Sequence, residues 1–171
     1  MSKKYFYHTR PVVCVQGLGY VGSAMAVAIA SANGKNKKPY FNVIGLDLEN
    51  KSGRKKVSQI NKHEFPFSSK DLNLLKEFKN TKKNKNFYAS TDTRLLAQAD
   101  IVICDVNLDL LEENKKLSAN FKHLEKAVID IGKNIKKGAL VIVETTVPPG
   151  TCENFIIPII NKQFNKRKLT P

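Results

Sequence analysis

Six consecutive residues, Gly17-Leu18-Gly19-Tyr20-Val21-Gly22, limit what this chain can fold into more than any other feature. They follow Val12-Val13-Cys14-Val15-Gln16, a short apolar run rich in β-branched residues that reads as a buried strand. They open a stretch over residues 20–33, rich in Ala, Met and Ile, that reads as a helix with Gly34 as its stop. A G-x-G-x-x-G alone is weak, but between a strand and a helix it acquires a physical purpose. Gly17 permits the tight turn, Gly19 lets the backbone approach a pyrophosphate, and Gly22 lets helix and strand pack closely. The helix then aims free N–H groups and its positive dipole end at the phosphates. The competing reading is a plain strand–helix turn.

A second strand over residues 41–46 ends at Asp47, 25 residues beyond Gly22. That is slightly longer than the usual spacing of about 20 residues, and a basic loop over residues 35–39 accounts for the excess. The Asp47 carboxylate is expected to accept hydrogen bonds from the adenosine ribose hydroxyls and to repel the extra phosphate of NADP, which favours NAD. Lys51 and Arg54 nearby keep NADP open as an alternative, and FAD proteins share the same fingerprint.

The rest of the chain repeats the alternation. Helices are predicted over residues 51–61 and 71–78, the latter capped by Ser68 or Ser69, followed by a Lys/Asn loop over 80–86. A third strand covers 87–90, and Thr91 or Asp92 caps a small helix reaching Ala97. A fourth strand is expected over 101–106, a long helix over 118–136 ended by Gly138, and a fifth strand over 139–143. After the turn Pro148-Pro149-Gly150, a final helix is expected over 151–163, at risk of breaking at Pro158. Strand–helix alternation of this kind gives right-handed parallel βαβ units. The predicted fold class is therefore α/β: a Rossmann doubly wound parallel sheet with helices on both faces, in a single domain over residues 1–171.

The formal net charge of +14 favours anionic partners such as dinucleotides, sugar nucleotides or nucleic acid, or simply a lysine-rich solvated surface. The basic clusters lack interleaved aromatic residues and any helix-turn-helix or RNP signature, which argues against nucleic acid. Three cysteines without close spacing argue against a disulfide framework or a zinc site and fit a reducing cytoplasm. Cys14 and Cys104 read as core residues; Cys152, at a helix start, reads as a structural thiol because no His is near it in sequence. His8, His63 and His123 are scattered without metal-ligand spacing. Lys3, Lys4 and Arg10 precede an apolar stretch loosely like a secretory signal, but Pro11, Gln16 and the glycines break it, and no run reaches the roughly 20 apolar residues that span a bilayer.

Several further segments resemble the UDP-glucose and UDP-N-acetylmannosamine dehydrogenases. Gly17-Leu18-Gly19-Tyr20-Val21-Gly22 is similar to that family's G-x-G-Y-V-G, and Val43-Ile44-Gly45-Leu46-Asp47 to its second strand. Ile60-Asn61 with Pro66 resembles I-N-x-G-x-x-P without the glycine. Ala89-Ser90-Thr91-Asp92 with Ala99-Asp100-Ile101-Val102 resembles A-T-T-D…A-D-V. Glu144-Thr145-Thr146-Val147-Pro148-Pro149-Gly150-Thr151 resembles E-S-T-V-P-P-G-T, the most specific of these blocks. The resemblance implies oxidation of the C6 alcohol of a UDP-sugar to a carboxylate with two NAD in succession. It implies a cofactor site of Gly17, Gly19, Tyr20, Val21, Gly22, Asp47, Thr91, Val106, Glu144 and Thr146, with Thr146 beside the nicotinamide in a supporting catalytic role. The family's loop after the fourth strand, V-P-T-P or V-G-T-P, is here Asp105-Val106-Asn107-Leu108-Asp109, a departure at a place that touches the cofactor. In the family the catalytic Cys, Lys and Asn, the UDP-sugar domain and the dimer-forming helix lie in later segments. The expectation is a fragment that is NAD-binding, inactive alone and monomeric, of a protein that is a homodimer.

Overall fold

The computed structural model describes residues 10–113 and 116–170, so Lys3, Lys4, His8 and Pro171 lie outside the described residues. The elements are β1 (Val12–Gln16), α1 (Tyr20–Ser31), β2 (Asn42–Leu46), α2 (Lys51–Asn61), α3 (Leu72–Asn84), β3 (Phe87–Ser90), a 3₁₀ helix (Thr93–Gln98), β4 (Ile101–Cys104), β5 (Asp109–Glu113), β6 (Lys116–Asn120), α4 (Lys122–Asn134), β7 (Leu140–Val143), a π-type turn (Cys152–Ile156) and α5 (Ile157–Lys166). Five strands form a parallel sheet in the order β3-β2-β1-β4-β7. The order reverses between β1 and β4, which opens a crevice at the carboxyl ends of the strands.

The sheet is covered on both faces, as expected. Val13, Val15, Val43 and Ile103 point to α1, meeting Ala26 and Ala30. Cys14, Ile44, Leu46, Val102 and Cys104 point the other way, to Leu124, Val128 and Ile131 of α4. Every residue of β2 is buried, which the apolar run Val43-Ile44-Gly45-Leu46 anticipates for a strand covered twice. At the edge, β7 leaves Leu140 and Ile142 exposed.

Several boundaries differ from the sequence expectation, each for a physical reason. Helix α1 ends at Ser31; Gly34 is not its stop but sits in a turn, donating its N–H to the Lys38 carbonyl (3.0 Å). Helix α3 runs to Asn84 through the stretch expected as a loop, because Leu74, Phe78 and Thr81 repeat at helical spacing and the last two are buried. Its cap is Asp71, which accepts the N–H groups of Asn73 and Leu74, whereas the Ser69 hydroxyl accepts the Asp71 N–H one turn earlier. Strand β4 ends at Cys104, and Asp109–Glu113 and Lys116–Asn120, expected as loop and helix start, pair as the antiparallel strands β5 and β6. Pro158 does not stop the last helix. The Ile157 N–H reaches back to the Cys152 carbonyl in a π-type turn, and Pro158 falls in the first turn of α5, where a missing N–H costs nothing.

Candidate functional site

The glycine-rich turn lies at the crevice, between the ends of β1, β2 and β4. Gly17 donates its N–H to the Leu46 carbonyl (2.9 Å), which ties the turn to β2. It holds φ at +106°, and a Cβ there would lie 2.0 Å from the Asp105 carbonyl oxygen, so the turn admits only glycine. A Cβ on Gly22 would strike the Gly17 carbonyl at 1.9 Å, which is the close helix–strand approach that the third glycine permits. Gly19 differs: nothing lies within 4 Å of the place its Cβ would occupy. Open space stands over the amino end of α1, where the first helical N–H groups lack intrahelical partners. The turn thus has the free donors and the room that a diphosphate requires. Tyr20 and Val21 flank it and are exposed, and the Tyr20 ring stacks on Phe67 at 4.1 Å between centroids.

Asp47 sits at the end of β2 as expected. One carboxylate oxygen accepts the Leu48 N–H (2.7 Å) and the other pairs with the Lys56 ammonium. The side chains of this pair are only 8% and 19% exposed, so the ion pair is largely withdrawn from water. Arg54, which with Lys51 kept NADP open as an alternative, pairs with Glu49 (2.6 Å). Lys56 was missed, although Gly53, Lys56 and Ile60 recur on one face of α2 and both neighbours are buried. Thr91 does not cap the 3₁₀ helix; its hydroxyl donates to the Glu49 carboxylate, while Asp92 accepts the Arg94 N–H as the cap. The Glu49 carboxyl is held below the ordinary range first by the Thr91 hydroxyl and then by Arg54.

On the other side of the crevice is an open cleft of about 630 Å³, lined by Val21, Asp105, Val106, Glu144, Thr145 and Thr146 among others. Val106, Glu144 and Thr146, expected from the sequence, are therefore brought together with the end of α1. Thr145, its neighbour, has a different task. Its hydroxyl donates to the Val106 carbonyl (2.8 Å) and accepts the Val106 N–H (3.1 Å), fastening the loop after β4 to the loop after β7. Asp105 was noted only as a departure from the family pattern. The structure sets its carboxylate against the turn: a Cβ on Gly22 would lie 2.7 Å from one carboxylate oxygen. Burial pushes the Asp105 carboxyl up and Glu144 pushes it further, while the Gly22 N–H that it faces pulls it down.

Cys14 and Cys104 are buried, and burial raises both thiols, Cys104 to about 11. Neither lines the cleft. Among the described residues no cluster of three or more His, Cys, Asp or Glu could hold a metal ion, and no helix is long and apolar enough to cross a membrane.

The NAD binding domain of the UDP-glucose/GDP-mannose dehydrogenase family matches residues 12–170. The UDP-N-acetyl-D-mannosamine dehydrogenase of Methanocaldococcus jannaschii is 30% identical over 156 residues, covering 91% of this chain and 32% of that protein. The enzyme of the same name from Campylobacter jejuni is 33% identical over 141 residues, covering 82% and 30%. Among solved structures, an NDP-N-acetyl-D-galactosaminuronic acid dehydrogenase from Methanosarcina mazei superposes with a TM-score of 0.77 at 27% identity, covering 90% of this chain and 31% of that one. A UDP-glucose dehydrogenase from Pyrobaculum islandicum shares the fold, with a TM-score of 0.73 at 23% identity over 90% of this chain and 33% of that one. The chain spans about a third of the length of the curated relatives it matches. It belongs to the UDP-glucose/GDP-mannose dehydrogenase family and constitutes that family's NAD-binding Rossmann domain.

Proposed function

We propose that this chain is the NAD-holding part of a nucleotide-sugar 6-dehydrogenase that oxidises the C6 alcohol of a UDP-sugar to a carboxylate, consuming two NAD per sugar. The observation that carries the reading is the crevice itself: an all-glycine cradle at Gly17, Gly19 and Gly22, a carboxylate at Asp47 on one side, and a polar cleft at Glu144 and Thr146 on the other.

In this reading the diphosphate lies over Gly19 at the amino end of α1, with Tyr20 and Val21 contributing main-chain N–H groups. Asp47 accepts from the adenosine ribose and disfavours a 2′-phosphate. Thr91 lies near that end through its bond to Glu49. The nicotinamide half enters the cleft between Val106 and Thr146, and the Thr146 hydroxyl positions substrate or water there. NAD supplies the hydride acceptor. The cysteine, lysine and asparagine of the chemistry and the sugar-recognising surface belong to segments outside residues 12–170, and the complete enzyme is a homodimer.

Calorimetric titration with NAD, paired with an assay of NADH formation from UDP-glucose and UDP-N-acetylmannosamine, tests this. The chain alone is expected to bind NAD and release no NADH. Release of NADH at an enzymatic rate would overturn the division of labour, and failure to bind NAD would overturn the site.

A further inference from the structure

Asp105 brings a negative charge to the place where the cofactor's own negative charge must go. It is the first residue after β4, its N–H donates to the Gln16 carbonyl (2.8 Å), and its main chain packs against Gly17 of the turn. Its side chain faces the N–H of Gly22 in the first turn of α1 and lines the same cleft as Glu144. The titratable groups that face Asp105 are Glu144 from the loop after β7 and the Cys104 thiol beside it on β4; α1 and the turn present only uncharged main chain. Among the described residues no Lys or Arg pairs with it.

We propose that Asp105 makes cofactor capture proton-dependent: NAD is held with the Asp105 side chain as a neutral acid, and is repelled when that side chain is a carboxylate. This rests on the proposed placement of the diphosphate at the amino end of α1. The physical argument is one of charge and of donors. A carboxylate is acceptor-only, so beside a diphosphate it offers a charge of the same sign and no hydrogen bond. The neutral acid can still accept from the Gly22 N–H through one oxygen and offers an O–H donor to the crevice through the other. Burial and Glu144 already hold the proton on Asp105 to a higher pH than an ordinary aspartate. A bound diphosphate adds charge of the same sign, so binding draws a proton from solvent, and by linkage the affinity falls as pH rises.

The test is calorimetric titration of the chain with NAD across about pH 5.5 to 8, in two buffers of different ionisation enthalpy at each pH. The wild type is expected to take up a fraction of a proton per NAD bound, with Kd rising by up to about tenfold per pH unit at the upper end. Asp105→Asn keeps an acceptor and a donor without the charge. It is expected to bind NAD with no proton uptake, a flat pH profile, and a Kd at pH 8 at least about fivefold below the wild type. Glu144→Gln is expected to shift the onset of weakening to lower pH. An affinity for NAD that is flat with pH in the wild type, or a slope and proton uptake that persist in Asp105→Asn, would overturn the proposal while leaving the NAD site intact. Absence of NAD binding at every pH would overturn the site and this proposal together. If Asp105→Asn does not fold, the wild-type proton count in the two buffers and the Glu144→Gln shift decide the matter.

Discussion

The ammonium of Lys56, on α2, is ion-paired to the carboxylate of Asp47 at the end of β2, and both side chains are mostly removed from water. Removing the cation leaves a buried charge whose remaining partner is the Leu48 N–H. Lys56→Met is therefore expected to destabilise the fold by about 1–3 kcal/mol, read from urea denaturation. Asp47→Asn removes the charge as well as the pairing. It is expected to weaken NAD binding by about tenfold or more, the effect of losing charged hydrogen bonds to the ribose. An Asp47→Asn protein with unchanged NAD affinity would place the ribose elsewhere.

The first two glycines of the turn make opposite predictions. Gly17→Ala puts a methyl group 2.0 Å from the Asp105 carbonyl at a φ of +106°, so it is expected to cost about 2 kcal/mol or more, seen as a lowered Tm. Gly19→Ala meets no neighbour within 4 Å, so its Tm is expected to match the wild type. The new methyl group stands in the open space over α1, so NAD affinity is expected to fall sharply. Equal NAD affinity in Gly19→Ala and wild type would move the diphosphate away from this turn.

Thr145 and Thr146 are adjacent but face different work. Thr145→Val removes the partner of both the Val106 N–H and the Val106 carbonyl. A loss of about 1–3 kcal/mol is expected on chemical denaturation, with NAD affinity falling as the loop after β4 loosens. Thr146→Val, whose side chain lines the cleft, is expected to leave stability within about 0.5 kcal/mol of wild type.

Asp100 gives the fold an acid-sensitive component. Lys136 donates to one of its oxygens (2.5 Å) and the Val12 N–H to the other (2.7 Å), and these bonds, Lys136 first, hold its carboxyl below the usual range. A carboxyl whose folded pKa is depressed contributes stability above its unfolded pKa and loses it as pH falls through the folded value. Asp100→Asn is therefore expected to lower Tm near neutrality and to flatten the fall of Tm between about pH 5 and 2. A parallel pH profile in the two proteins would exclude this role.

Much of the architecture could be read from local pattern. The buried strand before Gly17, the helix after it, the twice-covered β2 and the edge between Gly138 and Glu144 all follow from residue type and period. The misreadings arose where polarity hid packing. The last turns of α3, over residues 80–84, looked like a loop because lysine and asparagine dominate there, and the buried Thr81 satisfies its hydroxyl by donating to the Phe78 carbonyl (2.7 Å). The β5–β6 strand pair stands apart from the main sheet, and its strands carry none of the strong alternation that marks a half-buried strand.

By itself the sequence determined the backbone of the cofactor turn, because glycine spacing and the flanking strand and helix are local properties that the chain imposes on itself. Tertiary structure alone decided which side chains surround that turn. The parallel order puts β4 beside β1, which carries Asp105 to Gly22 and lets Thr145 clasp Val106 from 39 residues away. The return of α2 over β2 seats Lys56 on Asp47. Such pairings depend on how distant elements pack, and a carboxylate or lysine carries no mark along the chain of the partner it will meet.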